Sequence, residues 1–519
     1  MKQSTAFTAS RRLFLQQAGL YSVLTGTAAP LALNLAAIGT AAAQTSTDYK
    51  ALVCVFLFGG NDSFNMVLPT DTASWSAYST TRNQAPDSIA LLPVGTSPVA
   101  TADAGSPMRL GGVLPISAAR AQGRSFALHP LMGSLQTMFN VDKRLAILPN
   151  IGPLIQATTK AQYNNRTAPL PAQLYSHNDQ QSTWQALGPE GTTLGWGGRM
   201  GDMLASANSR TVFTTVSAAG NAVFLSGNQI RQYQVSSSGV IRLGTDGGGR
   251  VYGSTGVATA LQRLVSAARS NNYLETDMAK VGQRTIDAEI TLRNALRPAS
   301  DAAFGTPPTS GNYNPATDPK LLFDNPLTGN RSFNNLAQQL QVVARMIDAG
   351  ISGATGVGRQ VFFVSMGGFD THDLQNRGHA ELMARLSQAL SYFDTSLGAI
   401  GARNKVTTFT GSDFGRTFTS NGDGTDHGWG SHHLVMGGAV KGGDLYGRFP
   451  SLGLKNVNDN EFNSSTDQLG NGSLLPTSSV DQLGATLGRW FGLGDSQLLD
   501  IFPNLANFNP SVRDLGFML

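Results

Sequence analysis

The apolar residues of this chain fall into short unbroken runs, separated by longer stretches in which they recur at helical spacing. Ala51-Leu-Val-Cys-Val-Phe-Leu-Phe58 is a continuous apolar run that predicts a strand buried on both faces, the kind found in parallel sheets covered by helices. It ends at Gly59-Gly60-Asn61-Asp62. Leu145–Leu148 predicts a second strand, ending at Asn150-Ile-Gly152, and Val361–Ser365 a third, ending at Gly367-Gly-Phe-Asp-Thr-His372. Val406–Thr410 predicts a fourth, ending at Gly411-Ser412-Asp413, and Leu434–Met436 a fifth, entering Gly437-Gly438. Between the third and fourth, Leu382, Leu386, Ala389, Leu390, Phe393 and Leu397 place a helix over 378–400, and Asn335–Ile347 has a similar pattern. Strand–helix–strand alternation of this kind predicts a mainly parallel α/β sheet. Residues 205–330 break the pattern with Ser236-Ser-Ser-Gly239 and Gly247-Gly-Gly249, a long helical stretch from Ala258 to Leu296 and a Pro/Asn/Thr-rich loop. They are expected to form an insertion or cap.

The first 43 residues have a different character. Ser10-Arg11-Arg12-Leu13-Phe14-Leu15 precedes a moderately apolar stretch, Ala18 to Ile38, and then Ala41-Ala-Ala-Gln44. A basic start, an apolar middle and small residues before a cut are the parts of an export signal. The paired arginines match the twin-arginine type, whose partner during export is the twin-arginine translocase. That reading makes the mature protein, 44–519, periplasmic or secreted. The rival reading is an N-terminal membrane anchor, but Thr25, Thr27, Pro30 and Asn34 interrupt the apolar stretch. No later segment reaches the ~18 uninterrupted apolar residues of a bilayer span, so the mature chain is not expected to span a membrane.

Composition narrows the function. Charged residues make up only 13% of the 519 positions, and removing Lys2, Arg11 and Arg12 with the leader lowers the net charge from +4 to +1. A nearly neutral surface argues against a nucleic-acid binder, whose affinity comes mainly from Lys and Arg neutralising phosphates. The single cysteine, Cys54, lies inside the first apolar run. It is expected to be buried, and no intramolecular disulfide is available.

In open α/β sheets, ligands bind beyond the carboxyl ends of the strands. Three predicted strands end there in an aspartate: Asp62, Asp370 and Asp413. Five of the seven histidines, His372, His379, His427, His432 and His433, fall between 372 and 433, and Asp370-Thr-His372 and Asp426-His427 each set a carboxylate beside an imidazole. Carboxylates with imidazoles form the ligand set of zinc, manganese or a related divalent ion. Each aspartate is also a plain helix cap or turn former, and His379 and His433 read better as surface or supporting residues than as ligands. His129, in Phe126-Ala-Leu-His-Pro-Leu131, reads equally as a supporting group or as a half-buried histidine with its own partners. Arg416 is a candidate clamp for an oxyanion or a plain salt-bridge partner. Ser176, at the head of a helix predicted over 181–186, is the candidate nucleophile, with His177 and Asp179 beside it; its bland reading is the helix N-cap.

Leu57-Phe-Gly-Gly-Asn-Asp-Ser-Phe-Asn65, Leu128-His-Pro-Leu131, Ser176-His177, Gly367–His372, Asp413-Phe-Gly-Arg-Thr417 and Gly424-Thr-Asp-His-Gly428 occur in this order. With the twin-arginine leader, they resemble the bacterial family called domain of unknown function 1501. That family is grouped with the alkaline phosphatase and sulfatase superfamily. The resemblance therefore implies a three-layer α/β/α sandwich, alkaline phosphatase-like, with one or two metals at the strand ends. Carried over position by position, it implies Asp62, Asp370, His372, Asp413 and His427 as ligands of Zn, Mn or Ca, with Asp426, His129 and Asp179 behind them. The chain departs from the superfamily where Asp370-x-His372 replaces Asp-x-x-x-His and Phe414 follows Asp413. The sulfatase signature Cys/Ser-x-Pro-x-Arg is absent.

The expected function is an exported metal-dependent hydrolase of phosphate or sulfate esters, acting on a small or polymeric anionic substrate, with Ser176, His177 and Arg416 as catalytic groups. The alternative is a non-catalytic periplasmic binding or scaffold protein that retains the fold. A glycan-modifying enzyme is compatible with the Asn- and Ser-rich surface.

Overall fold

A computed structural model describes residues 48–237, 239–240, 249–267, 270 and 272–519. The proposed leader, 1–43, lies outside the described residues. The strands of the main sheet are β1 (Lys50–Leu57), β2 (Leu145–Gly152), β3 (Thr215–Ser217), β4 (Tyr233–Gln234), β5 (Arg359–Met366), β6 (Val406–Ser412), β7 (Ser431–Met436) and β8 (Ser478–Ser479). In space they run β8–β2–β7–β6–β1–β5–β3–β4. Every neighbouring pair is parallel except those made by β7, which runs antiparallel to both β6 and β2. The protein is thus α/β, with a large, mostly parallel mixed sheet.

Alternation along β1 assigns its two faces. Ala51, Val53, Val55 and Leu57 pack into an apolar cluster with the helices Asn335–Ile351 and Gln375–Ala399. Leu52, Cys54 and Phe56 pack on the opposite face, against Trp184, Trp196, Leu483 and Leu487. Those side chains come from the helices α1 (His177–Ala186), α2 (Trp196–Met203) and α3 (Val480–Phe491). Every residue of β1 after Lys50 is buried, as expected for a central strand covered on both sides. Cys54 is buried and unpaired.

Residues 205–330 are not simply an insertion. They supply β3 and β4 to the main sheet, and Ala288, Leu292, Phe304 and Leu321 to its core. These strands of three and two residues are too short to leave an apolar run in the sequence. The helical stretch read from 258 to 296 is two helices, Thr255–Ser266 and Tyr273–Ala295. No described helix is long and apolar enough to cross a membrane.

Register brings the chemistry to one rim. Leu57 of β1 stands level with Met366 of β5 and Ser412 of β6, so the turns carrying Asp62, Asp370 and Asp413 leave the sheet side by side. Gly59 and Gly60 have φ of +115° and +83°. A Cβ at Gly59 would collide with the Asp370 backbone, and one at Gly60 with the Phe414 ring. Only glycine permits this left-handed turn between two neighbouring strand ends.

Candidate metal centre

The loop after β5 carries Asp370 and His372. His427 precedes β7 on a short antiparallel ladder, in which Gly428 N donates to Gly415 O at 2.7 Å and Gly415 N to Trp429 O at 3.0 Å. His177 is the first residue of α1. Around Asp370 the structure gathers three imidazoles. His372 Nε2 lies 3.0 Å from Asp370 Oδ1, His427 Nε2 3.2 Å from the same oxygen, and His177 Nε2 3.4 Å from Oδ2. His372 Nε2 and His427 Nε2 are 2.9 Å apart. One ligand atom each from His177, Asp370 and His427 fall within 4.8 Å of one another.

The other ring nitrogens face outward, each toward an acceptor. His177 Nδ1 is 2.7 Å from Asp413 Oδ2, His427 Nδ1 is 2.7 Å from the Tyr175 carbonyl, and His372 Nδ1 is 3.4 Å from Asp426 Oδ1. An Nδ1–H donated outward leaves Nε2 as a lone-pair donor pointing inward. Three inward lone pairs and a carboxylate repel one another unless a positive charge sits among them. His177 Nε2 shows the same need, being buried with no hydrogen-bond partner. The donor set therefore fits a divalent cation.

The charged groups around the cluster shift its members in different directions. The bond to Asp413 holds the His177 pKa above its ordinary value against the opposing effect of burial. Burial pushes the Asp370 carboxyl upward, but the Arg416 guanidinium and the nearby imidazoles outweigh it and hold it below the usual carboxylate range. Burial, together with the charges of Arg416 and His177, lowers His427, which keeps its ring neutral near pH 7. Asp370 and His372 are exposed, so the cluster opens to solvent.

Several sequence expectations are corrected. Asp62 does not join the cluster. It is fully buried, and its two oxygens accept from Arg82 Nη1 at 2.6 Å, Arg82 Nη2 at 3.0 Å, Gln375 Nε2 at 2.6 Å and Phe64 N at 3.2 Å. Four donors saturate a carboxylate and leave nothing for a metal. Asp413 touches the cluster through His177: its Oδ2 also accepts from Gln181 Nε2 at 2.8 Å and Gly59 N at 3.1 Å, while its Oδ1 is buried without a hydrogen-bond partner. His177 and Gln181, one helical turn apart, grip the same oxygen.

Arg416 is not an anion clamp. It is fully buried, with Nη1 donating to Asp370 Oδ1 at 2.7 Å and Gly59 O at 3.3 Å, Nε to Thr425 Oγ1 at 3.2 Å, and Nη2 to Thr425 O. It orients Asp370. Ser176 is the N-cap of α1 and donates its hydroxyl to Asp179 Oδ2 at 3.0 Å, so this pair serves the helix end. His129 is buried away from the cluster, its Nδ1 accepting from Leu131 N at 3.2 Å and its ring packing edge-on against His379. His379 and His433 are buried as well.

Sequence reasoning missed the frame behind Asp370. Gln375, fully buried, donates to Asp62, and its Oε1 accepts from Thr425 Oγ1 at 2.6 Å and Thr371 Oγ1 at 3.1 Å. The chain Arg82–Asp62–Gln375–Thr425–Arg416–Asp370 ties the buried ion pair to the rim. Phe414, which follows Asp413, packs its ring against His177 and His427 at 4.7 Å each. Spacing offered one signal, Gln181 four residues beyond His177; Arg82 and Gln375 gave none.

Residues 330–502 match the model of a family described as Protein of unknown function (DUF1501). The matched stretch carries Asp370, His372, Asp413, Arg416, Asp426 and His427, and supports the family resemblance there. Asp62, Arg82, Ser176 and His177 lie outside it. No curated protein matches the chain.

Proposed function

We propose that this chain is an exported, metal-dependent hydrolase of phosphate or sulfate esters, with His177, Asp370, His372 and His427 holding one divalent ion. The observation that carries the reading is three histidine Nε2 atoms around one carboxylate, with Nδ1 of His177 and His427 hydrogen-bonded outward and that of His372 facing Asp426. Three nitrogens and one oxygen suit Zn or Mn; Ca prefers an all-oxygen shell. Such an ion supplies Lewis-acid polarisation of an ester oxygen and a lowered pKa for water. The Ser176 hydroxyl is bonded to Asp179 at 3.0 Å, which favours water as the attacking group. Asp413, Tyr175 and Asp426 hold the imidazoles in the binding tautomer, and Arg416 fixes Asp370. The mostly parallel sheet with its cluster at the strand ends supports an alkaline phosphatase-like arrangement. The twin-arginine pattern supports export to the periplasm or beyond.

The test is elemental analysis of protein purified without chelators, followed by hydrolysis of aryl phosphate, phosphodiester and sulfate esters. About one Zn or Mn per chain, lost in His427→Ala, together with turnover lost in Asp370→Ala, is the expected result. Absence of metal sinks the reading. One observation favours a second reading, a non-catalytic binding or scaffold protein: Arg416 is fully engaged and offers no free guanidinium to an anion. Stoichiometric metal without turnover on any of the three ester classes selects it.

A further inference from the structure

A cavity of about 1100 Å³ opens beyond the carboxyl end of β2, beside β8. Its walls come from the short helix Lys160–Asn164, the segment around Glu461–Asp467 and residues near the C-terminus. Each of its charged groups already has an ion-pair partner, with Arg489 shared between Asp514 and Asp495. Lys160 Nζ pairs with Glu461 at 2.7 Å and also donates to Phe462 O at 2.7 Å. Arg448 holds Asp467 through two bonds, of 2.7 and 2.6 Å, and Asp514 accepts from Arg489 at 2.5 Å. An anion entering this space would find both lining cations, Lys160 and Arg448, already paired with carboxylates.

The rest of the lining has two characters. Leu154 and Phe508 belong to one apolar cluster with Trp429 and Leu475. Asn164, Asn463 and Thr466 stand exposed in the lining, and Ser478 lies buried in it. Apolar floor and neutral hydrogen-bonding edge together match a molecule with carbon faces and hydroxyl rims. We propose that this cavity binds a neutral, hydroxyl-bearing chain, an oligosaccharide segment.

The cavity is joined to the metal centre by a short scaffold. Tyr163, on the helix that forms one wall, shares a 2.9 Å hydrogen bond with the Tyr175 hydroxyl and packs against Trp429. The Tyr175 carbonyl holds His427 Nδ1. The inference thus extends the hydrolase reading, placing the uncharged part of an ester substrate here, but its test does not depend on metal or turnover.

The probes are neutral hexasaccharides (cello-, malto-, xylo-, manno- and chito-series) and hexagalacturonate as the anionic control, titrated calorimetrically into the mature chain. At least one neutral series is expected to bind in the micromolar to millimolar range. Ala157→Trp, a substitution at an exposed lining position, is expected to abolish binding. Asn164→Ala with Asn463→Ala should weaken it about tenfold or more, the loss of one or two hydrogen bonds, and all variants should keep the parent melting temperature. His427→Ala should still bind the sugar, which separates this inference from the metal reading. No binding by any neutral series, preference for hexagalacturonate, or binding unchanged by Ala157→Trp overturns it.

Discussion

The rim and the interior of this molecule use the same residue types to opposite ends. Asp62 and Asp370 follow neighbouring parallel strands, and each has an arginine partner. Asp62 with Arg82 is sealed, both side chains fully inaccessible and every carboxylate lone pair taken. The Asp370 side chain is 45% exposed; Arg416, His372 and His427 share its Oδ1, and only His177 stands against its Oδ2. The histidines divide in the same way. His177 and His427 bring a ring nitrogen each into one group with Asp370, and His372 Nε2 lies 2.9 Å from His427 Nε2, whereas His129, His379, His432 and His433 are buried, the first two edge-on to each other. A strand-end aspartate or a histidine becomes available for chemistry only where the surrounding donors leave it incomplete.

The widest separation between the two groups should appear in acid. Burial pulls His379 down to about 4, and His432 and His433 to about 3, from an ordinary value of 6.5. Above pH 6.5 these rings are neutral in both the folded and unfolded chain, so their contribution is flat. As pH falls below 6.5, the unfolded chain takes up protons that the folded chain refuses until pH 4 to 3, and stability is lost across that window. The loss is about 2 kcal/mol per buried imidazole by pH 5. Urea midpoints measured at pH 7.5 and 5 should therefore fall steeply; coincident midpoints would mean that these rings are not buried neutral.

Next in size is the interior ion pair. Arg82→Leu leaves Asp62 charged, buried and short of two donors, and should destabilise by about 3–5 kcal/mol in urea unfolding. Adding Asp62→Leu should recover part of that loss. If the double variant is as unstable as the sum of the single ones, the pair is not coupled.

Gln375→Leu cuts the frame between interior and rim, removing one of the two donors to Asp62 Oδ2 and the shared acceptor of two threonine hydroxyls. A loss of about 1–3 kcal/mol is expected, with Gln375→Glu worse because it sets a carboxylate against Asp62. A Gln375→Leu variant as stable as the parent would show that the frame is not needed. The smallest effect belongs to the rim: Asp426→Ala removes the exposed acceptor behind His372 Nδ1, and should weaken Zn or Mn binding about tenfold or more. Its folding stability should not change. Equal affinity in a competition titration would separate Asp426 from the site.

Much of the fold was readable because its signals are local. A run such as Ala51–Phe58 can only be a strand covered on both faces, and the helical spacing of Leu382, Leu386, Leu390 and Leu397 survives intact in the helix Gln375–Ala399. The short strands β3 and β4 were not readable, because two or three residues hold too little pattern. At the site, Asp370, His372 and His427 were legible from their place after strand ends and in Asp/His pairs. Their distinction from Asp62 was not, because the residues that consume Asp62 lie 20 and 313 positions away.

The amino-acid sequence by itself determined that a mostly parallel sheet would present acidic and imidazole side chains along its carboxyl rim, since apolar runs and glycine turns are properties of neighbouring residues. The tertiary structure alone decided which of those side chains face one another with lone pairs unspent. Saturation of a carboxylate or an imidazole depends on donors from distant segments, and only folding brings those within hydrogen-bonding distance.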